Sequence, residues 1–435
     1  MTGLLDHVAG DQVAPARPDL AELVHWAGAA TQPIHRWFRY REGFSPALIT
    51  KLGLGHRILD PFCGSGSIMV GAAQQGRMSV GIDVNPLAAF VSRVKLSPLR
   101  DADVVAVSGF LGGFDAALGG VEPWPAPGLR IAPKVFEPRI SDAVLRLRAL
   151  IEQRSGSAAQ RDFLLLAWLS ILQEVGSYFK EGNGIKYRNR KRARGGYVVR
   201  PDGAWQLERF GADQAGFVRE AFRAKLAEML ADVPAWRLGN WRAQRVIEGD
   251  ALAETARLGA ASFDSVLFSP PYVNRFDYFE SQKVELWFGG FVDTYQALAA
   301  LRKRSLRSHL GAALDGAVAD LPEVEAIIDR LDPASYAVRM RVPALIRGYF
   351  SDMAMILGRC RHVLVPGGQC CVVVGNSAYG GVIIPTDQII ARLGLAAGFD
   401  AAVVVPVRHL PVAPQQRGAL RGGERLMRES IVVLS

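Results

Sequence analysis

Paired cysteines, long apolar runs, targeting signals and internal repeats are all missing from this chain, and each absence removes a class of protein. Four cysteines occur, Cys63, Cys360, Cys370 and Cys371. None has the C-x-x-C spacing that holds zinc, and two are adjacent inside a predicted strand, so three read as core fillers and neither a disulfide framework nor a metal site is expected. No segment reaches the roughly 18 unbroken apolar residues of a membrane span. Residues 1–30 lack the basic start, apolar core and cleavage site of a signal peptide, so the cytoplasm is the expected location. Without a repeat, solenoids and propellers drop out as well.

What is present points to a large α/β protein. A chain of 435 residues, 49% of them hydrophobic, can bury one large core and carry a second smaller domain or a long insertion. Lys plus Arg number 51 against 42 Asp plus Glu, a formal net charge of +9 with a pI near 9.5. That balance favours a polyanionic partner such as nucleic acid.

Residues 1–30 are rich in Ala, Gly, Pro and Asp with little periodicity, and a loosely ordered arm is expected there. Aromatic and basic residues then alternate from His35 to Phe44, and Ser45-Pro46 suits an N-cap and first helical position. This lead-in reads either as a face packed on the core or as one wall of a cofactor pocket. Ile58-Leu59-Asp60-Pro61-Phe62-Cys63-Gly64-Ser65-Gly66 reads as a short strand with a glycine exit, followed by an Ala-rich helix whose first N–H groups are free. Ser79 to Asp83 is a second strand ending in an acid, with Asn85 just beyond. An acid at the end of strand two, roughly 20 residues past the glycines, is placed to bind the two hydroxyls of a ribose.

The strand rhythm stops from about Leu99 to Arg245. Val121 to Pro138 is Pro-rich, whereas Ile140 to Ile151, Arg161 to Phe179 and Phe217 to Leu230 carry apolar residues at helical spacing. Between the last two, Lys180 to Arg194 sets one acid among seven basic residues, interleaved with Asn183 and Tyr187. The run reads as a solvated face or as a phosphate-gripping loop; Lys180, Lys186, Tyr187, Arg188, Arg190, Lys191 and Arg192 are its candidate contacts. A second basic cluster holds Arg302, Lys303 and Arg304, with Arg307 beyond.

Strands resume with Gln244 to Ala251, which carries the terminal acid Asp250, and with Phe263 to Phe268, which ends in Ser269-Pro270-Pro271-Tyr272. Proline bars the helical conformation for the residue before it and has no N–H to give a neighbouring strand, so carbonyls and side chains here must face outward. Taken alone, Pro-Pro-Tyr is most cheaply a turn; taken with the upstream glycines and acids, it is a site. Cys370 to Val374, Ala401 to Val407 and Ser430 to Leu434 complete seven strand candidates. They predict a doubly wound, seven-stranded Rossmann-like sheet interrupted between strands two and three by a mainly helical insertion. The divisions are an arm over 1–30, the first part of the sheet domain over 31–98, the insertion over 99–243 and the second part over 244–435.

The constellation resembles the S-adenosylmethionine-dependent DNA amino methyltransferases. Asp60-Pro61-Phe62-Cys63-Gly64-Ser65-Gly66 resembles the family's glycine-rich first motif, Asp83 its ribose acid and Asp250 the acid that meets the adenine amino group. Ser269-Pro270-Pro271-Tyr272 resembles the catalytic motif of enzymes acting on exocyclic amines, and Trp37 to Pro46 the aromatic motif that closes over the methionine part. The resemblance implies S-adenosylmethionine as cofactor, bound by Tyr40, Phe44, Ser45, Asp60, Pro61, Phe62, Cys63, Gly64, Gly66, Asp83, Asn85, Asp250 and Ala251. It implies catalysis by Ser269 to Tyr272 on a flipped base of DNA, and a cognate restriction endonuclease as companion. Serine in the first motif position favours N4 of cytosine over N6 of adenine. Two other readings stand beside it. An RNA methyltransferase forming N2-methylguanine usually has Asp or Asn before Pro-Pro-Tyr and an RNA-binding domain ahead of the sheet. A catalytically silent nucleic-acid-binding subunit predicts damaged cofactor motifs, and Gly64, Gly66, Asp83 and Asp250 are intact. The family usually sets its target-recognition segment beside the catalytic strand or after the acid motifs, and the insertion here departs from that.

Overall fold

Side chains alternate between two buried faces along nearly every predicted strand. Ile58 and Leu267 point into one apolar layer while Leu59 and Val266 point into the other, and Cys371 and Cys370 divide in the same way. A strand covered on both faces is what helices packed above and below a sheet require. The computed structural model that shows this describes residues 10–25, 31–40, 43–182, 184–188, 190–193, 196–199, 204–237, 239–411, 418, 420 and 423–435.

Eight strands form the main sheet: β1 (Gly10–Val13), β2 (Arg57–Asp60), β3 (Met78–Asp83), β4 (Gln244–Glu248), β5 (Phe263–Phe268), β6 (Leu364–Gly375), β7 (Ala401–His409) and β8 (Arg428–Leu434). Their order is β1-β7-β8-β6-β5-β2-β3-β4. The pairs β6–β5, β5–β2, β2–β3 and β3–β4 are parallel, and β8 runs antiparallel to both β6 and β7. The seven expected strands are present, and the eighth comes from the arm. The described part of that arm, residues 10–25, is less loose than its composition suggests, because Gly10–Val13 pairs with Ala401 to Val404 and Leu20 and Val24 are buried against the sheet. Backbone pairing holds it, which composition does not report.

Between β3 and β4 the chain builds a separate helical core. Helices Asp101–Leu118, Pro138–Arg154, Ala158–Val175 and Gln214–Ala231 pack together, and Trp37 from the aromatic lead-in is buried among them. Its ring lies 4.7 Å from Trp236 and 5.4 Å from Phe163, and its Nε1 donates to Asp232 at 2.8 Å. The helix expected to run to Phe179 stops at Val175, where Gly176 takes an extended conformation. The basic stretch then forms two β-hairpins, Tyr178–Glu181 with Gly184–Tyr187 and Arg190–Ala193 with Gly196–Val199, rather than a loop. All four cysteines are buried and unbridged.

Candidate active site at the strand tips

Parallel pairing brings the C-terminal ends of β2, β3, β4 and β5 to one edge of the sheet, with Asp60 opposite Gly81 and Asp83 opposite Glu248. A cavity of about 240 Å³ opens there. Of the residues expected at the site, Tyr40, Phe44, Pro61, Phe62, Gly64, Asp83, Asn85, Asp250, Ala251 and Ser269 to Tyr272 line it. Asp60 and Cys63 face a small adjoining recess together with Tyr40, Phe44 and Ser269. Ser45 and Gly66 line neither: Ser45 is buried with its N–H on the Leu23 carbonyl, and Gly66 caps the helix Ser67–Gln74 against Ser92.

The acids are held by backbone. Asp83 accepts from the N–H of Gly64 at 2.9 Å and of Asn85 at 2.8 Å, and burial still pushes its carboxyl up to about 6. Asp60 is fully enclosed and accepts from the Phe62 N–H, and burial raises it to about 8, helped by the neighbouring Asp83 charge. Asp250 caps the helix Ala251–Thr255 by accepting from the Leu252 N–H, and partial burial raises it as well. Gly64 sits at φ +52°, and a Cβ there would come within 2.8 Å of the Tyr40 ring, so a bare backbone passes under that aromatic wall.

Tyr272 is half-buried on the cavity wall. Its hydroxyl donates to Glu429 Oε1 at 2.6 Å, and burial next to that carboxylate pushes the phenol well up, so it stays protonated. His309 also lines the cavity. Ser305 donates its hydroxyl to the Arg302 carbonyl, so the 3.0 Å contact with His309 Nε2 makes that nitrogen the donor, while Nδ1 accepts from the Gly311 N–H. Burial lowers the imidazole, which is therefore neutral and engaged on both nitrogens.

Sequence reasoning missed Val24, His25, Tyr278, Phe279, Ser305, Leu306, Ser308, His309, Arg408 and Glu429, all of which line the cavity. Tyr278 and Phe279 follow the Pro-Pro-Tyr turn closely and could have been found from their aromatic run. The others come from distant segments with no local signal.

The basic candidates divide. Arg302 pairs with Asp277 at 2.7 Å and Glu280 at 2.8 Å, and both oxygens belong to the turn that carries Tyr278. Lys180 pairs with the buried Glu285 at 2.8 Å, and Arg188 donates to the Tyr178 carbonyl at 2.9 Å, so both are built into the hairpin base. Arg307 is buried against Asp352 at 2.6 Å. Lys186, Lys303 and Arg304 are exposed, and Arg304 stands on the cavity wall; Tyr187 is half-buried and packs against the helical core. The backbone of Arg190, Lys191 and Arg192 forms a hairpin strand, but their side chains lie outside the described residues, as do Asn183 and Arg194.

A mostly parallel sheet with one antiparallel strand set between β6 and β7, and a cavity ringed by the glycine turn, two acids and Ser-Pro-Pro-Tyr, fit a Rossmann-like methyltransferase fold. Known proteins agree. The type II methyltransferase M.BsoBI of Geobacillus stearothermophilus is 25% identical to this chain across 95% of it and 87% of its own length. M.AvaI of a Nostoc species is 22% identical across 88% of this chain and 83% of its own length. M.MjaII of Methanocaldococcus jannaschii shares a stretch of 71 residues at 34% identity, 15% of this chain. No family model matches the sequence. The chain is thus similar to type II methyltransferases along most of its length. Among the described residues, no helix is long and apolar enough to cross a membrane, and no cluster of His, Cys, Asp and Glu could hold a metal.

Proposed function

We propose that this chain methylates DNA at a specific site, using S-adenosylmethionine to modify the exocyclic amine of one base. The carrying observation is the single cavity that unites Asp83, Asp250 and Ser269 to Tyr272 from three strand tips. The residues suit the cofactor. Asp83 is fixed by two backbone N–H groups with lone pairs left for ribose hydroxyls, Asp250 can accept from an adenine amine, and the Gly64 backbone under Tyr40 leaves a slot for the methionine part. When bound, the cofactor supplies a methyl already activated by its sulfonium charge.

The chain's own groups do the rest. An exocyclic amine gives its lone pair to the ring and is a poor nucleophile, so the enzyme must hold it in line and accept its hydrogens as it turns tetrahedral. The Ser269 hydroxyl and the Pro270 carbonyl are such acceptors, and the Tyr272 ring is a stacking surface. No strong base is needed, which agrees with a neutral His309 bonded on both nitrogens. A target inside a duplex must be flipped out, at a cost of a few kcal/mol that stacking and phosphate contacts offset. The exposed Lys186, Lys303 and Arg304 and the second basic hairpin are the phosphate contacts in this reading.

Serine at position 269 favours N4 of cytosine over N6 of adenine, because a hydroxyl can donate to cytosine N3 and also accept from the amine. A restriction endonuclease reading the same site is the expected companion. Incubating the protein with plasmid DNA, or with RNA, and labelled S-adenosylmethionine, then digesting to nucleosides for mass spectrometry, tests the reading. N4-methylcytosine in DNA is expected; N6-methyladenine would correct the base, and N2-methylguanine in RNA alone would overturn DNA as substrate.

A further inference from the structure

We propose that Glu429 is the positioning residue for the catalytic aromatic ring: with Gly375 as floor and Arg408 as counter-charge, it sets the plane in which Tyr272 meets the base. This rests on the methyl transfer proposed above. Glu429 is only 3% exposed, yet it lies on the wall of the cavity. Burying a carboxylate at a substrate site is costly unless both oxygens are paired. Here Oε1 accepts the Tyr272 hydroxyl at 2.6 Å and Oε2 accepts Arg408 Nε at 2.5 Å. A carboxylate committed twice is not available as a base, so its work at the cavity is to hold Tyr272.

Strand register makes the clamp rigid. Glu429 pairs with Gly375 across one ladder and with Arg408 across the other, so floor, acceptor and counter-charge are neighbours on β6, β8 and β7. At Gly375 a Cβ would come within 2.7 Å of a Tyr272 ring carbon, so the ring rests against bare backbone. An aromatic ring that follows two prolines has its backbone fixed but can still rotate about its side-chain bonds. The hydroxyl anchor and the glycine floor remove that freedom, and the ring is in place before the base arrives.

The test uses the full chain with plasmid DNA, labelled S-adenosylmethionine, and a duplex carrying 2-aminopurine at the target base. Glu429→Ala should lower kcat about 10- to 100-fold, the scale of a misplaced reacting group, while cofactor affinity changes less than about twofold. The 2-aminopurine emission of the bound duplex should change in step, which a defect confined to folding or cofactor binding does not produce. Tyr272→Phe should show the same loss, and the double variant should be no worse than either single one. Glu429→Gln keeps an acceptor for the hydroxyl and should recover most of the loss; it also carries the test if Glu429→Ala fails to fold. A folded Glu429→Ala enzyme within about twofold of wild-type kcat, or losses that add in the double variant, would overturn the clamp alone. A wild-type chain that moves no methyl to DNA would overturn both readings.

Discussion

The strand-tip cavity and the basic segment after Tyr178 both stood out in the sequence, and the fold treats them in opposite ways. At the tips, most of the singled-out residues end on one cavity wall. In the basic segment and its companion cluster, Lys180, Arg188 and Arg302 turn inward to Glu285, the Tyr178 carbonyl and the Asp277–Glu280 turn, leaving Lys186, Lys303 and Arg304 outside. A residue at the end of a parallel strand has its surroundings dictated by the sheet, so its type and position suffice to place it. A charge in a run is placed by whichever opposite charge the rest of the chain brings to it, and that partner can lie far away in sequence.

The deepest contrast would come from the tips. Ser269→Ala and Tyr272→Ala should each lower methyl transfer by about 10²- to 10³-fold, the cost of removing one preorganised stabilising group, with S-adenosylmethionine binding by calorimetry nearly unchanged. Equal loss of both binding and transfer would mean that the tip residues build the cavity rather than act in it.

Next in size is Lys180→Glu, which sets a second carboxylate beside the buried Glu285 and should cost about 3 kcal/mol in denaturant unfolding. Unchanged stability would return Lys180 to the solvated face. Asp83→Ala should weaken the cofactor by about 1.5–3 kcal/mol, the worth of hydrogen bonds to a charged acceptor, or roughly 10- to 150-fold in Kd.

The pH dependence follows from the same carboxylate. Burial raises Asp83 to about 6 and Asp60 to about 8, so their folded values lie above the ordinary carboxylate range near 4. Their contribution to the stability of the cofactor-free fold is therefore complete below about pH 4 and is lost as pH rises through 6 to 8. Cofactor binding that uses ionised Asp83 runs the other way, and affinity should fall about fivefold between pH 6 and pH 5. Titration calorimetry on wild type and Asp83→Asn checks this, because the substitution should flatten the profile. The smallest effect belongs to the exposed charge. Lys186→Glu should leave stability within about 0.5 kcal/mol and lower the salt slope of DNA binding by about 1.

Much of the fold was legible because both faces of the sheet are buried, which leaves runs such as Val403-Val404-Val405 and Ile431-Val432-Val433 with no other reading. The edge strand Gly10–Val13 was not, since a strand of this composition is recognised by its partner and not by its own pattern. Helical spacing placed Pro138–Arg154 and Gln214–Ala231 to within a few residues, but it ran Ala158–Val175 on into what is the first hairpin strand. The Trp37 to Pro46 lead-in divides between core and cavity: Trp37 and Phe38 are buried in the helical core, while Tyr40 and Phe44 line the cavity.

By itself the sequence located seven of the eight described strands of the main sheet and the residues at their tips: the glycine turn of 60–66, Asp83, Asp250 and Ser269 to Tyr272. These depend on local rules, a strand period of two and the conformations open to glycine and proline, which act over a few residues. Only the tertiary structure decided which basic residues are spent inside the protein, that His309 is locked neutral, and that Glu429 holds Tyr272 from 157 residues away. Those outcomes depend on distances between side chains that the chain meets only after the sheet has closed over its core.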